Sequence, residues 1–382
     1  MLGAIIGDTV GSVYEFNNIK TTDFPLFSPD SDFTDDSVMT MAVAEWLLTD
    51  DSHSMDALEK CMVNFARKYP FPKGGYGGGF HKWLFSPEKL FDWNGNTVTR
   101  RQPYHSWGNG SAMRASAVGW MFDTIEETER VARISAEITH NHPEGIKGAQ
   151  ATAAAIFLAR TGKSKEEIRD YISIIYDYNL SRTCDEIRSC YRFDESCQGT
   201  VPEAIVAFLD STDFESAIRL VVSLGGDSDT LACITGGIAE AFYKEIPGEC
   251  AHTVWSMLPE DFKVILKKMA EKTDYRLPEV IIDLESTFAS GEVKELEGVE
   301  TFQQMVKWFF NPMKMQPRTI VELSLVVAGL IVGIACNHWT FFLIMLILTI
   351  SIKGYLFLQQ WKLVKALKEY RELSEEIETQ DE

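Results

Sequence analysis

The sequence predicts an all-α fold, and two observations support this class. From residue 1 to about 280, apolar residues recur at three- and four-residue spacing, the period of an amphipathic helix. Alternating apolar and polar runs, which are typical of half-buried strands, are nearly absent. We therefore expect a compact multi-helix domain over residues 1–280. Helical periodicity marks the segments 38–49, 54–68, 111–122, 125–139, 144–161, 164–178, 213–223 and 229–243, and polar or glycine-rich breaks separate them at 69–83, 94–110, 140–145 and 225–229.

Composition and charge limit the possible partners and compartments. The chain has 382 residues, 45% of them apolar, and its 56 acidic residues outnumber 36 basic ones. Nucleic acid is not expected as a partner, because its backbone is bound by clustered basic side chains. The seven cysteines are odd in number and form no CxxC pair, which indicates reduced thiols in the cytosol. The start, "MLGAIIGD", has no basic segment and its apolar run ends at Asp8, so we expect no signal peptide.

The C-terminal part predicts a two-helix membrane hairpin over residues 319–358. Two apolar runs, 320–336 and 339–358, each approach the ~20 residues that span a bilayer. A buried helical hairpin is the weaker alternative, because only Glu322 and Lys353 interrupt the runs. A connector (281–318) precedes the hairpin and a helical acidic tail (359–382) follows it. Basic residues on both sides predict cytoplasmic flanks, hence a membrane-anchored protein, at the cytoplasmic membrane in a bacterium, whose first domain lies in the cytosol: Lys307, Lys314, Arg318, Lys362, Lys365 and Lys368.

The stretch "FTDDSVMTMAVAEWLL" places Thr34, Asp35 and Asp36 directly before a helical segment. A helix cap explains such residues, since a hydroxyl accepts from free backbone N–H groups and acids complement the helix dipole. One acid would suffice for that purpose. Two carboxylates and a hydroxyl are also ligands that Mg²⁺ prefers, so this stretch alone leaves both interpretations open.

A second cluster repeats this pattern at the start of another helical segment. "GGDSDTLACITGG" supplies Asp227, Asp229 and Thr230. Two such helix starts facing one cavity would place four carboxylates together, which is stable when cations lie between them. Oxygen ligands favour Mg²⁺ or Mn²⁺ over Zn²⁺. "DSDT" also fits the pattern of aspartate-nucleophile phosphatases, but that motif should end a parallel strand, and here a helix follows.

The first fifteen residues carry a glycine repeat and two acids. Gly3, Gly7 and Gly11 recur every four residues, so one face of a helix is smooth enough for close backbone approach. Asp8 and Glu15 lie about two helical turns apart and are able to point the same way. Taken singly, Asp8 is explained as a satisfied buried acid and Glu15 as a surface glutamate.

Two further stretches suggest ligand contacts. In "YHSWGNGSAMR", Gly108, Asn109 and Gly110 precede a helical segment and offer backbone N–H groups to phosphate oxygens, and Trp107 is able to stack on a base. In "THNHPEG", His140 and His142 are too few for a zinc site, and a hydrogen-bonding histidine at a pocket rim is better supported.

Together, "GDTVGSVYE", "TDDS", "GNGSAMR" and "GGDSDT", in this order, resemble the ADP-ribosylglycohydrolase family over roughly residues 1–275. The resemblance implies an all-α fold with two Mg²⁺ (or Mn²⁺) ions at the bottom of a cleft that binds ADP-ribose. It also implies metal ligation by six residues: Thr34, Asp35, Asp36, Asp227, Asp229 and Thr230. Substrate contacts are implied for Ser106, Trp107, Gly108, Asn109, Gly110 and His140, and for Gly77 and Gly78 in a glycine-rich segment.

The activity implied by the resemblance is hydrolysis of the glycosidic bond between ADP-ribose and a modified side chain, arginine or serine, or a small molecule. Glu15, Asp36 and Asp227 are the implied catalytic residues, with Glu15 gating the cleft. The alternative is a non-catalytic, membrane-tethered module that binds ADP-ribose. The enzyme is favoured because all six metal positions and Glu15 are filled.

Overall fold

The computed structural model describes residues 1–85, 90–91, 97–98 and 101–282. These residues form a helical domain, which confirms the predicted all-α class. Two strands of two residues, β1 (Leu90–Phe91) and β2 (Thr97–Val98), pair antiparallel. The helices are α1 (Leu2–Gly11), α2 (Asp35–Thr49), α3 (Met55–Lys68), α4 (Gly78–Leu84), α5 (Gly110–Met113), α6 (Ser116–Met121), α7 (Ile125–Glu137), α8 (Pro143–Arg160), α9 (Lys165–Tyr176), α10 (Cys184–Cys190), α11 (Cys197–Asp210), α12 (Phe214–Val222), α13 (Ser228–Tyr243), α14 (Gly248–Met257) and α15 (Glu260–Lys272).

The periodic segments correspond to helices, with two differences. Seven of them match α2, α3, α7, α8, α9, α12 and α13 within a few residues, but 111–122 divides into α5 and α6. The break at 69–83 contains most of α4, a short helix that begins in a glycine-rich stretch. Intrinsic propensity does not favour a helix at Gly78–Leu84, so its tertiary contacts decide the outcome: Phe80, Trp83 and Leu84 are buried.

The glycine repeat of α1 packs against α13. A Cβ on Gly3 would lie 2.5 Å from the carbonyl oxygen of Gly236, and a Cβ on Gly7 would overlap the carbonyl of Ala232. At the end of α1, a Cβ on Gly11 would overlap the backbone of Ser228. The predicted close approach is therefore confirmed, and it brings the end of α1 to the start of α13.

No helix within the described ranges combines the length and the apolar character that a bilayer crossing requires. The longest of them, α8, has 18 residues and carries Glu144, Lys147 and Arg160. This finding contradicts the expected membrane-anchored localisation and gives no support to the membrane as a partner. The predicted hairpin (319–358), the acidic tail (359–382) and all but the first two residues of the connector (281–318) lie outside the described residues.

Candidate active site

A cleft with a volume of about 330 Å³ lies where the starts of α2 and α13 meet the loop after α1 and the loops before α4 and α5. Six carboxylates line it, and its described lining contains no lysine or arginine. Most of the residues implicated by the sequence meet here: Glu15, Asp35, Asp36, Gly77, Gly78, Ser106, Gly108, Asn109, Gly110, His140, Asp227, Asp229 and Thr230. The two acidic helix starts therefore face one cavity, as the sequence predicted.

Thr34 shows that capping and site formation are not alternatives at the start of α2. Its hydroxyl oxygen accepts from the backbone N–H of Asp36 at 3.2 Å, which is an N-cap contact. Asp8 of α1 accepts from the backbone N–H groups of Thr34, at 2.9 Å, and Ser37, at 3.1 Å, and also from the Ser37 hydroxyl. One helix start is thus fixed from both sides, which directs Asp35 and Asp36 into the cleft.

The start of α13 completes the acidic wall. Asp227 is the N-cap residue, but its side chain makes no capping hydrogen bond and instead accepts from the Asn109 side-chain amide at 2.7 Å. The Thr230 hydroxyl donates to Asp36 Oδ2 at 3.3 Å and so joins α13 to α2. Asp229 is buried and also lines the cleft. The Asp227 side chain therefore faces the cavity and does not cap its helix.

Glu15, in the loop after α1, lies beside the carboxylates of the acidic wall. Its carboxylate and those of Asp227 and Asp229 offer oxygens that all lie within 4.8 Å of one another. The side-chain amide of Asn18 donates to the carbonyls of Tyr14, Glu15 and Gly226, and its oxygen accepts from the Gly226 N–H at 2.7 Å. Asn18 therefore ties the Glu15 loop to the turn before α13.

The electrostatics of this wall fit a hard cation. Burial, followed by neighbouring carboxylates, raises the pKa of Asp35, Asp36 and Asp229 well above their usual range, and burial with the charge of Asp227 raises the pKa of Glu15 to about 7. Asp36 Oδ1 and Asp229 Oδ1 are buried and have no hydrogen-bond partner among the described residues. Buried carboxylate oxygens without donors are stabilised by a bound cation, and an all-oxygen set suits Mg²⁺ or Mn²⁺.

The opposite wall is formed by residues 106–110. The Asn109 backbone N–H donates to the carbonyl of Glu195 at 2.7 Å, and the Cys197 N–H donates to the carbonyl of Trp107 at 2.9 Å. The Ser106 hydroxyl oxygen accepts from the Gly108 N–H at 3.1 Å. These contacts with the start of α11 fix a loop that the sequence alone leaves free.

A neutral histidine and a buried arginine support this loop. The pKa of His140 lies well below its usual value because the ring is buried and faces the charge of Arg114. Arg114 is fully buried and donates to the carbonyls of Gly110 and Ser135 and to the Thr139 hydroxyl. Because Thr139 accepts from Arg114, its own proton is available for His140 Nδ1, 2.7 Å away, which favours the ring tautomer with the proton on Nε2.

Two predicted contacts need qualification. Trp107 is 52% exposed and does not line the cleft; its ring lies edge-on to His142, with centroids 5.5 Å apart. A Cβ on Gly77 or Gly78 would meet nothing within 4 Å, so these glycines border open space. The sequence reasoning also left out Arg114 and Asn18, and took Asp8 only as a satisfied buried acid. Asp8 had a signal in its glycine-flanked helix, whereas no local pattern identifies the contacts of Asn18 or Arg114.

Comparison with known proteins agrees with this geometry. The profile of the family described as ADP-ribosylglycohydrolase matches residues 1–276. The chain belongs to the ADP-ribosylglycohydrolase family. It is a hydrolase that acts on ADP-ribosylated substrates, and the resemblance read from the four motifs is confirmed.

Relatives of this family member cover most of its helical domain. It is similar to ADP-ribosylhydrolase ARH3 of Homo sapiens, with 27% identity over 64% of this chain and 84% of that protein. It is also similar to the ADP-ribosylarginine hydrolase Tri1 of Pseudomonas putida (strain GB-1), with 25% identity over 73% of this chain and 78% of that protein. A solved structure titled "ADP-ribosylglycohydrolase-related protein complex" shares the fold, with a TM-score of 0.52 and 21% identity over 71% of this chain and 96% of that chain.

Proposed function

We propose that this hydrolase requires Mg²⁺ or Mn²⁺ and cleaves the glycosidic bond that joins ADP-ribose to an arginine or serine side chain. The observation that carries the proposal is the cavity itself: one wall has buried carboxylate oxygens without a partner among the described residues, and the other is lined by uncharged residues that include a neutral histidine. ADP-ribose matches both walls, because it combines a diphosphate with ribose hydroxyl groups. An ADP-ribose-containing small molecule presents the same groups.

Two cations are assigned to the acidic wall. The residues that would hold them are Asp35, Asp36, Asp227, Asp229 and Thr230, which line the cleft, and Thr34, which is buried and hydrogen-bonded to Asp36. Glu15 lies close to Asp227 and Asp229. When bound, such ions supply positive charge that orients ribose hydroxyls and acidifies water. Asp8 and Asn109 act as positioning residues here, since they hold Thr34 and Asp227 in place.

The opposite wall is assigned to the diphosphate and the adenosine. Ser106, Gly108, Asn109 and Gly110 border the cleft, and a Cβ on Gly110 would lie only 3.3 Å from His140 Nε2. Glycine leaves room there for a phosphate oxygen to reach Nε2, which carries the ring proton in the favoured tautomer. Trp107 stands outside this lining, so its stacking on the base depends on how far the substrate extends.

Proton transfer is assigned to three carboxylates. Cleavage at the anomeric carbon passes through an oxocarbenium-like transition state, which is helped by an acid at the leaving group and a base at the attacking water. Glu15 lines the cleft beside Asp227 and Asp229, so it is placed to hold or release a proton at the reacting bond. Asp36 and Asp227 are the candidates for the general base, because both line the same cavity.

The test is release of ADP-ribose by the full-length protein. Peptides carrying a single arginine-linked or serine-linked ADP-ribosyl group are incubated with protein in Mg²⁺ and, separately, in EDTA. We expect release from at least one peptide in Mg²⁺ and a loss of at least about 100-fold in EDTA. The peptide that is hydrolysed faster identifies the linkage that the enzyme prefers.

Two outcomes would contradict the proposal in different ways. Equal release in EDTA would remove the metal requirement. Release from neither peptide, with release from a small ADP-ribosyl compound, would move the substrate class from modified proteins to small molecules.

A further inference from the structure

An exposed pair of phenylalanines stands at the mouth of the cleft. The rings of Phe16 and Phe193 stack with centroids 6.2 Å apart and an angle of 23° between their planes. Phe16 is 75% exposed and Phe193 is 43% exposed, and Phe16 also lines the cleft. Exposed apolar surface of this kind, bordered by polar residues, is typical of interaction sites. The pair therefore offers an apolar contact just outside the cavity.

A depression lined by basic side chains continues along the loops that carry this pair and includes part of α10. Its lining contains three basic residues, one acid and three uncharged residues: Lys20, Arg188, Arg192, Asp185, Asn18, Ser189 and Tyr191. The loops are joined there, because Lys20 donates to the carbonyl of Tyr191 at 3.0 Å. The depression is thus continuous in sequence with both phenylalanines, which precede Lys20 by four residues and follow Arg192 by one.

The positive charge of the depression is poorly compensated. Within the described part of the chain, neither Lys20 nor Arg192 forms an ion pair; they donate to backbone carbonyls of Tyr191 and Leu224. Arg188 pairs with Asp185, whose side chain is 86% exposed. Burial and then the charge of Arg192 lower the pKa of Lys20. In a chain of net charge −20, two cations in one depression that form no ion pair with the described residues are suited to an external anionic group.

We propose that the phenylalanine pair and the basic depression form one docking surface for the peptide that carries the ADP-ribosyl group, and that this peptide bears acidic residues near the modified side chain. The proposal rests on the proposed function, since it takes the cleft as the ADP-ribose site. A cavity of about 330 Å³ has no room for the polypeptide, which must cross the mouth. Four extended residues span at most ~14 Å, so a short peptide flank covers the distance between Phe16 and Lys20 along the loop.

The chemistry favours an acidic peptide over a polyanion such as nucleic acid. Binding to a phosphate backbone usually depends on many basic contacts, and an overall charge of −20 opposes it. A peptide supplies both partners that the surface needs: an apolar side chain for Phe16 and Phe193, and carboxylates for Lys20 and Arg192. Charges at the rim of an interface mainly set partner choice and association rate.

The experiment compares two fluorescent ADP-ribosylated peptides that differ only in flanking residues. One has aspartates and glutamates beside the modified residue, and the other has asparagines and glutamines. Dissociation constants are obtained by stopped-flow anisotropy with the full-length protein in Mg²⁺, before the peptide is hydrolysed, and kcat/KM is measured on the same peptides and on an ADP-ribosyl compound without a peptide. The variants are Arg192→Glu, Phe193→Ala and, as a matched charge control, Lys60→Glu on an exposed face of α3.

We expect wild-type protein to bind the acidic peptide about fivefold more tightly than the neutral one, the effect of one or two exposed ion pairs. Arg192→Glu should abolish this preference, as should 1 M NaCl, where the Debye length is about 3 Å. Lys60→Glu should keep it. Phe193→Ala should raise the dissociation constant of both peptides about threefold, because each peptide loses the same apolar contact.

Three results would overturn the docking surface. They are equal binding of both peptides by wild type, equal effects of Arg192→Glu and Lys60→Glu on the preference, or a loss of kcat/KM in Arg192→Glu and Phe193→Ala that is as large on the compound without a peptide as on the peptides. Preferential inhibition by a DNA oligonucleotide would replace the peptide with nucleic acid as the occupant. Tight binding that depends on the acidic flanking residues, without any hydrolysis, would overturn the proposed function while the docking surface stands.

Discussion

The two walls of the cleft differ in how they are built and in the charge they carry. The acidic wall consists mainly of two helix starts, which the Thr34 cap of α2 and the α1–α13 contact hold in place. The opposite wall is a loop that one buried guanidinium, Arg114, and contacts with α11 hold in place. If the proposed function holds, the difference teaches how one cavity would accommodate both a cation and a diphosphate: the carboxylates lie on one side and uncharged residues on the other.

The largest expected effect comes from removing one charge of the acidic wall. Asp227→Asn should lower kcat/KM by at least about 100-fold, because a cation ligand and a candidate base are lost together. The metal-free protein should keep its melting temperature or gain a few degrees, since repulsion among buried carboxylates falls. Activity assays and thermal melts with and without Mg²⁺ measure both. Asp23→Asn, an exposed acid on the loop after α1, is the control and should change neither.

A substitution in the opposite wall should weaken the binding of ADP-ribose and leave the binding of Mg²⁺ unchanged. Arg114→Met leaves three buried acceptors without their donor, so we expect the free energy of unfolding to fall by about 2 kcal/mol and the Kd for ADP-ribose to rise about tenfold. The affinity for Mg²⁺ should stay within about twofold. Arg114→Lys keeps the charge and should recover part of the ADP-ribose affinity. A loss of Mg²⁺ binding equal to that of Asp227→Asn would remove the distinction between the walls.

A smaller effect is expected at the tie between the Glu15 loop and the turn before α13. Asn18→Ala removes the amide that contacts Tyr14, Glu15 and Gly226, so Glu15 is less often placed beside Asp227. We expect kcat/KM to fall about tenfold, mostly through kcat, which steady-state kinetics separate from KM. Asn17→Ala provides the matched control, because the neighbouring exposed asparagine makes no side-chain contact of this kind. Equal losses of kcat/KM in Asn18→Ala and Asn17→Ala would show that the Asn18 contacts do not position Glu15.

The smallest expected effect concerns pH. His140 has a pKa far below its unfolded value, so below about pH 6.5 the unfolded chain binds a proton that the folded protein does not. Its contribution to stability is therefore present above pH 6.5 and is lost as the pH falls. Denaturant titrations should show that His140→Gln reduces the slope of unfolding free energy between pH 7 and 5, by up to ~1.4 kcal/mol per pH unit. An unchanged slope would mean that His140 is charged in the folded state.

The acidic wall could be predicted from the sequence to a greater extent than the opposite wall, and the reason is physical. Helix caps and glycine repeats are local signals, so Asp35, Asp36, Asp227 and Asp229 were identified with their helices, and Gly7 indicated a close contact before its partner was known. That both helix starts share one cavity followed from their repeated pattern.

Long-range contacts explain what the sequence could not provide. Arg114 lies within a helical segment and its local sequence suggests an ordinary surface residue, yet it is buried. Its partners Ser135 and Thr139 are 21 and 25 residues away in sequence, so no local pattern indicates these contacts. Asn18 reaches Gly226 across 208 positions of sequence. A short segment rich in glycine also formed α4, where burial of Phe80 outweighs poor propensity.

The central claim, that the acidic wall binds the metal and the opposite wall does not, is tested most directly by calorimetric titration of Mg²⁺ into the full-length wild type, Asp36→Asn and His140→Gln. Wild type and His140→Gln should bind Mg²⁺ with the same affinity and stoichiometry, while Asp36→Asn should lose at least one site. Unchanged Mg²⁺ binding in Asp36→Asn, or its loss in a folded His140→Gln, would contradict the claim.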